Sequence, residues 1–319
     1  MRAALIEALA GAPRVTEVPD PSPGPGQALI RVEAAGLNPV DVSVASGRHY
    51  SRVPDPPYVP GIEGAGRVLQ GQRLPPGARV RFETGPASGS LAELAAVDED
   101  RCLQVELDAP TAAGFGVAGS AAWLALHQRA ALRPGERVLV LGATGVVGNL
   151  AVQLAKLADA GRVVAAGRDP QRLQAALTAG ADVTVSLDSR PPEEMAAALS
   201  DAAQGGFDVV FDPVWGAPLE AALLACAPEA RIVNLGQSAG PHARLPSNVI
   251  RGRQLRLVGH ANQATSWELR LQALQQVAGL LAQGQLHLDV EQVPLDRVAE
   301  AWARLRSSPH VKLVAVPGG

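Results

Sequence analysis

The stretch of this chain whose residue types and spacing most clearly imply chemistry is LGATGVVGNLAVQLAK, positions 141–156. An apolar run of strand type, RVLV, leads into it. Behind it Val147, Leu150, Ala151, Leu154 and Leu157 recur on one helical face. Strand, glycine-rich turn and helix in that order are the setting of a dinucleotide fingerprint. On the template G-x-G-x-x-G, Ala143 takes the first glycine position, and Gly145 and Gly148 take the second and third. Gly145 would let a pyrophosphate approach the backbone, and Gly148 would let helix and strand pack closely. The N–H groups from Thr144 through Gly145, Val146, Val147 and Gly148 would then face the phosphates. Glycine-rich turns also join strands to helices where nothing binds. What raises this one above them is the alternation of five further strands with helices.

The identity of the dinucleotide is written at the end of the second strand, RVVAAG. An NAD enzyme places Asp or Glu there to bind the ribose hydroxyls. This chain has Gly167, followed by Arg168 and, one helical turn later, Arg172. An acid would repel a 2′-phosphate, whereas arginine can grip it through paired hydrogen bonds. NADPH is therefore the expected cofactor. The alternative is that both arginines are solvated at a helix start, with Asp169 acting only as its cap.

These residues need elements to hold them. With 319 residues the chain can build two domains, each with its own core. Residues 1 to about 108 carry short alternating strands broken by Pro and Gly: AALIEAL, QALIRVEAAG, GAGRVL, ARVRFE and SLAELAAV. From about 110 to 259, RVLVLG, RVVAAG, VTVSL, DVVFDPV, RIVNLG and LRLVGH alternate with helical segments, the pattern of a doubly wound parallel sheet. Residues 109–126, mostly Ala and Gly, read as one buried, close-packed helix. The helix SWELRLQALQQVAGLLAQG, a strand, another helix and the closing strand VKLVAV complete the chain.

Composition narrows the function classes. The net charge is −3 with both signs interspersed, which argues against nucleic-acid binding. No run reads as a membrane span, and the polar N-terminus does not read as a signal peptide. Two distant cysteines, Cys102 and Cys226, fit a reducing compartment, so a cytoplasmic location is expected.

Motifs spread over nearly the whole chain give it a resemblance. AAGLNPVDVSVASG (34–47), VPGIEGAGRV (59–68), GSAAWLAL (119–126), VLVLGATGVVGNLAVQLAK (138–156), FDVVFDPVWG (207–216), RIVNLG (231–236) and VKLV (311–314) follow one another as in the medium-chain dehydrogenase/reductases. The chain most resembles their zinc-independent quinone oxidoreductase (zeta-crystallin-like) branch. The resemblance implies a GroES-like catalytic domain at 1–110 and 260–319, with a Rossmann domain at 111–259 inserted into it. The active site would be the cleft between them. It also implies a homodimer joined through the last strand of the Rossmann sheet.

Against the zinc alcohol dehydrogenases, the ligand positions fall on Asn38 and Ile62, and the proton-relay positions on Val40 and Ser43. A catalytic zinc needs about three protein ligands, and these positions supply none, so no metal is expected. Without one, the chemistry favours an acceptor that is already electrophilic: a quinone or an α,β-unsaturated carbonyl.

Asn38 is the first candidate for the acceptor end, since its amide can donate to a carbonyl, or else it fixes the turn before Pro39. Tyr50 is the second, a phenol placed to stack and to supply a proton, with His49 competing for that register. Ser43 and Asn262 complete the expected substrate side. The resemblance also implies that Pro213, Val214, Leu235, Gly236 and Gln237 line the nicotinamide, and that Lys312 meets the pyrophosphate or is a solvated terminal lysine. The competing readings are an enoyl-thioester reductase of fatty-acid or polyketide type and a regulatory protein that holds NADPH without turnover.

Overall fold

The computed structural model describes residues 1–50, 53–85, 88–187 and 191–318. The chain forms two compact units, Met1–Val117 with Leu274–Gly319, and Ala118–Ala273. The first unit begins with β1 (Arg2–Leu5) paired antiparallel to β2 (Arg14–Glu17), followed by β3 (Gln27–Gly36) and α1 (Pro39–Ala45). Strands β4 (Glu63–Gln70), β5 (Arg79–Glu83), β6 (Leu94–Asp98) and β7 (Cys102–Gln104) come next, then α2 (Ala109–Gly114) and the start of α3 (Gly116–Trp123), most of which belongs to the second unit.

Unit two alternates β8 (Arg137–Leu141), α4 (Val146–Leu157), β9 (Arg162–Gly167), α5 (Pro170–Thr178), β10 (Val183–Ser186), α6 (Pro192–Ala203), β11 (Phe207–Asp212), α7 (Gly216–Leu224) and β12 (Cys226–Asn234). It then adds α8 (Ser247–Arg253), β13 (Arg256–Gly259) and the first part of α9 (Trp267–Ala282). The chain returns to the first unit for β14 (Val290–Pro294), α10 (Val298–Leu305) and β15 (Lys312–Val316).

The expected architecture is present in both units. The second carries six parallel strands in the order β10-β9-β8-β11-β12-β13, so the sheet reverses direction of growth between β8 and β11. Its central strands are buried on both faces and read as nearly unbroken Val, Leu, Ile, Phe and Ala, as a parallel sheet covered by helices requires. The first unit holds a mainly antiparallel sheet, β14-β15-β3-β4-β5-β7, with β6 also paired to β3. In β3 the burial alternates along QALIRV, the signature of one packed face.

Two readings of the sequence are corrected. The unit boundaries fall at 117/118 and 273/274, later than 110/111 and 259/260. The first moves because α2 packs on β3 and β4 and so belongs with the antiparallel sheet. The uncharged segment 109–126 is not one helix. It breaks between α2 and α3 at Phe115, which is fully buried, and runs on into a π-helical stretch, Leu124–Arg129.

The core of the first unit gathers Ile6, Ile30, Phe82, Leu91, Val298 and Leu313 around Trp302 of α10, which is 1% exposed. Trp302→Ala empties the largest fully buried side chain of this unit. It should cost about 3–5 kcal/mol, read as a lower urea midpoint with the secondary structure retained below it.

Candidate functional site

The glycine-rich turn of the second unit leaves β8 at its carboxyl end and enters α4. Gly142 makes the sharp turn with φ +62, a conformation a side chain rarely adopts. The template placed that task one residue later, at Ala143, which is instead fully buried and hydrogen bonded through its N–H to Ala166 O at 3.0 Å. Gly148 has the packing role its position implied, since a Cβ there would come within 2.3 Å of Gly142 O. Gly145 differs. It caps α4 at φ −85, and a Cβ would meet only Gly142 O at an ordinary 3.5 Å. The chain itself does not demand glycine at 145.

The first helical bond of α4 runs from Asn149 N–H to Gly145 O. The N–H groups of Val146, Val147 and Gly148 thus precede the helical ladder, where a helix N-terminus favours an anion. Thr144 sits against the end of β9, for a Cβ at Gly167 would come within 2.8 Å of its Cγ2. A larger residue at 167 would collide there. Arg168 is exposed. Arg172 pairs with Asp169 at 3.5 Å, and Asp169 also accepts from Gln171 and Arg172 N–H, so its expected capping role is observed.

Three more strand ends lie on the same side of this parallel sheet. The side chains of Pro213 and Val214 press on Gly142, and Gly236 lies so close to Pro213 O that a Cβ would come within 2.3 Å. Leu235 N–H donates to Asp212 O, and Ala239 N–H to Val214 O. Gln237 is exposed on the same loop. Beyond β13, Asn262 Nδ2 donates to Ser120 Oγ at 3.1 Å, and its Oδ1 faces His260 Nε2 at 3.0 Å. Burial holds His260 below its ordinary pKa. The structure therefore gathers the predicted residues at 144–148, 213–214 and 235–237 into neighbouring loops.

The first unit contains a buried polar cluster that the sequence only hinted at. Its hub is Glu63, fully buried at the start of β4. Its Oε1 accepts from Lys312 Nζ at 2.7 Å and from Asn38 Nδ2 at 3.0 Å. Its Oε2 accepts from Arg81 Nη2 at 3.3 Å and from Val117 N–H at 2.7 Å. Burial alone would raise this carboxyl, yet Lys312 and Arg81 leave it below the ordinary range. Arg81 is itself fully buried and reaches Glu83 at 3.2 Å. The signal lay in RVRFE: alternation puts Arg79, Arg81 and Glu83 on one face of β5, and nothing in the pattern tells that this face is buried.

Two expectations are corrected by this cluster. Lys312 is neither solvated nor extended toward a phosphate. It is 3% exposed, with its ammonium on Glu63 and, at 2.6 Å, on Asn38 Oδ1. Asn38 is also 3% exposed. Its Nδ2 is directed at Glu63 and, at 3.4 Å, at Gly36 O, so its amide serves the cluster rather than an incoming carbonyl. Tyr50 is 75% exposed and its ring lies 4.2 Å from that of His49, so the two residues competing for one position pair with each other. Ser43 is half-buried in α1, its carbonyl accepting from Ser46 Oγ. Among the described residues, no three His, Cys, Asp or Glu side chains group as metal ligands. Both cysteines are free, and burial pushes each thiol up to about 12.

Residues 24–132 match the alcohol dehydrogenase GroES-like domain and residues 146–278 the zinc-binding dehydrogenase model. Quinone oxidoreductase-like protein 2 of Bos taurus is 30% identical over 245 residues, 75% of this chain and 69% of that protein. Quinone oxidoreductase of Lama guanicoe is 41% identical over 147 residues, 44% of each chain, so the match spans less than half of that relative. A mycobacterial structure solved in complex with NADPH aligns over 99% of this chain and all of its own, with a TM-score of 0.88 at 22% identity, a likeness of fold.

One consequence of the cluster can be measured. Asp41, buried in α1, accepts from Asn38 N–H at 2.9 Å and Ile62 N–H at 3.2 Å, and burial pushes its carboxyl up from 3.8 to about 7. A raised carboxyl stabilises the fold while protonated, and that contribution is lost as pH rises through this window. The stability of the native protein minus that of Asp41→Asn should therefore fall between about pH 4 and pH 7, by up to about 1.4 kcal/mol per unit. Urea unfolding across this range reads the slope, and a flat difference would contradict the assignment.

Proposed function

The chain belongs to the medium-chain dehydrogenase/reductase superfamily, in its quinone-oxidoreductase-like branch, and from that premise we propose that it is an NADPH-dependent oxidoreductase reducing quinones or α,β-unsaturated carbonyls by metal-free hydride transfer. The observation that carries this reading is Gly145. Its glycine is not required by the surrounding chain, whereas a pyrophosphate lying on the start of α4 would require it. The end of β9 argues for the phosphorylated dinucleotide. Gly167 leaves no acid for the ribose hydroxyls, and exposed Arg168, with Arg172 drawn from Asp169, offers planar charge to a 2′-phosphate.

In this reading the N–H groups of Val146, Val147 and Gly148 hold the pyrophosphate. Pro213, Val214, Leu235, Gly236 and Gln237 flank the nicotinamide, and Asn262, oriented by Ser120 and His260, faces the acceptor. When bound, NADPH supplies the hydride, and the protein's task is to place the acceptor and exclude water. A conjugated acceptor is favoured because the zinc positions of relatives carry Asn38, committed to Glu63 and Lys312, and apolar Ile62. We place the protein in the cytoplasm as a homodimer through β13, whose Arg256 and Leu257 are exposed along an edge that invites pairing. No helix among the described residues is long and apolar enough to cross a membrane.

The test is loss of reduced-nicotinamide absorbance with NADPH or NADH against a quinone, an enone, a simple ketone and an enoyl thioester. Turnover of NADPH with the quinone or enone alone supports the reading; preference for NADH or for the ketone overturns it. Gly145→Ala should abolish NADPH binding while costing about 1 kcal/mol or less in stability through weaker capping. Arg168→Ala should lower kcat/KM for NADPH by about tenfold to a hundredfold and leave NADH little changed.

A further inference from the structure

One buried carboxylate of the second unit has no place in the reading above. Asp212 ends β11, beside the reversal point of the sheet, and is fully buried. Its Oδ1 accepts from two successive backbone N–H groups, Val214 at 3.0 Å and Trp215 at 2.8 Å. Its Oδ2 accepts from Asn234 Nδ2 at 2.9 Å, at the end of β12. Asn234 Nδ2 also donates to Gly236 O at 2.8 Å, and Asn234 O accepts from His260 N–H at 2.8 Å. One side chain thus binds the loop after β11 to the loop after β12, and through Asn234 the contact runs on to the segment that carries Asn262.

The loop it grips is not one the backbone adopts unaided. Trp215 has φ +60 and ψ −161, a region open to glycine and costly for any other residue, and Gly216 follows at φ +62. Such a conformation persists only where its surroundings impose it. The bond from Trp215 N–H to Asp212 Oδ1 is at the strained residue itself, and Gly236 is pressed onto Pro213 O within the same latch. Both oxygens of Asp212 are engaged in this arrangement, and the side chain is sealed from solvent.

We propose that Asp212 is a positioning residue for hydride transfer: it latches the two loops that flank the nicotinamide and acts through them, without touching cofactor or acceptor. This rests on the dinucleotide reading above. It separates two halves of the binding site. The adenosine end is held by the turn at 144–148 and by Arg168, which Asp212 does not contact, while the nicotinamide end depends on the latch.

The experiment compares the native protein with Asp212→Ala, Asp212→Asn and Asn234→Ala. Fluorescence titration gives the affinity for NADPH and, by displacement, for adenosine 2′,5′-bisphosphate, which lacks the nicotinamide. Turnover with 9,10-phenanthrenequinone is followed with NADPH and with NADPH deuterated at the transferred position. For Asp212→Ala, affinity for the bisphosphate should stay within about twofold, kcat should fall on the order of tenfold to a hundredfold, and the deuterium isotope effect should rise. Asp212→Asn keeps one oxygen for Val214 and Trp215 and should recover most of that loss. Asn234→Ala breaks the other half of the latch, and it should show the same signature if Asp212→Ala does not fold.

Native kcat and an unchanged isotope effect in folded Asp212→Ala, or in Asn234→Ala, overturn the proposal alone. Equal losses of bisphosphate affinity and kcat mean general loosening of the unit and overturn it as well. A native protein that binds neither NADPH nor the bisphosphate overturns the cofactor reading, and the proposal with it.

Discussion

The buried ionised carboxylate of Glu63 is the constraint around which the first unit is organised. An unpaired charge in a protein interior costs several kcal/mol or more. The fold meets that cost with four donors from four places: Lys312 of β15, Arg81 of β5, Asn38 ahead of α1 and the N–H of Val117 in α3. Removing Lys312 or Arg81 would take away opposite charge, and removing Asn38 or the Val117 N–H would leave a buried carboxylate oxygen short of a donor. The hub is also crowded. A Cβ at Gly36 would come within 2.8 Å of Glu63 Oε1, and one at Gly116 within 2.5 Å of Oε2 and 1.9 Å of Arg81 Nη2. These two glycines are space for the ion pairs rather than freedom for the backbone. The closing strand is bound to the start of the chain through the same carboxylate, so the first unit is completed only when the C-terminal segment returns.

The second unit solves a different problem. A parallel sheet ends every strand on the same side, leaving turns that must change direction at once and backbone groups that have left the ladder. Gly142 takes the sharp turn, Gly148 lets α4 approach it, and Asp212 gathers N–H groups that β11 no longer uses. Here burial raises the carboxyl, and among the described residues no cation pairs with it; the compensation comes from backbone and amide donors. Glu63 and Asp212 are thus two answers to one physical demand. The first uses opposite charge and joins distant parts of the chain. The second uses neutral donors and shapes loops that are neighbours in the sheet.

Much of this was legible from the amino-acid sequence. The apolar runs of β8, β9, β11 and β12 and the alternation in β3 are local patterns, repeated at the periods that strands and helices require, and they place the doubly wound parallel sheet and the β-rich lobe correctly. The turn at 142–148 and the step from Gly167 to Arg168 were readable because glycine's missing side chain and arginine's fixed charge act where they stand. The short strand β2 and the break at Phe115 were not readable. Neither has enough residues for periodicity to show, and each depends on what packs beside it.

What the sequence by itself determined is therefore the set of elements, their order and the glycine-rich turn between β8 and α4, all of which follow from backbone geometry and the pattern of apolar burial within a few residues. Only the tertiary structure decided what the isolated polar residues do. Lys312 and Asn38 are 274 positions apart, yet they meet within 2.6 Å over Glu63. Asp212 and Asn234 come together because β11 and β12 run side by side in register. An ammonium or a carboxylate has the same appearance in a sequence whether it faces water or a buried partner. Its partner is chosen by which strands become neighbours, and that choice is made by the whole core.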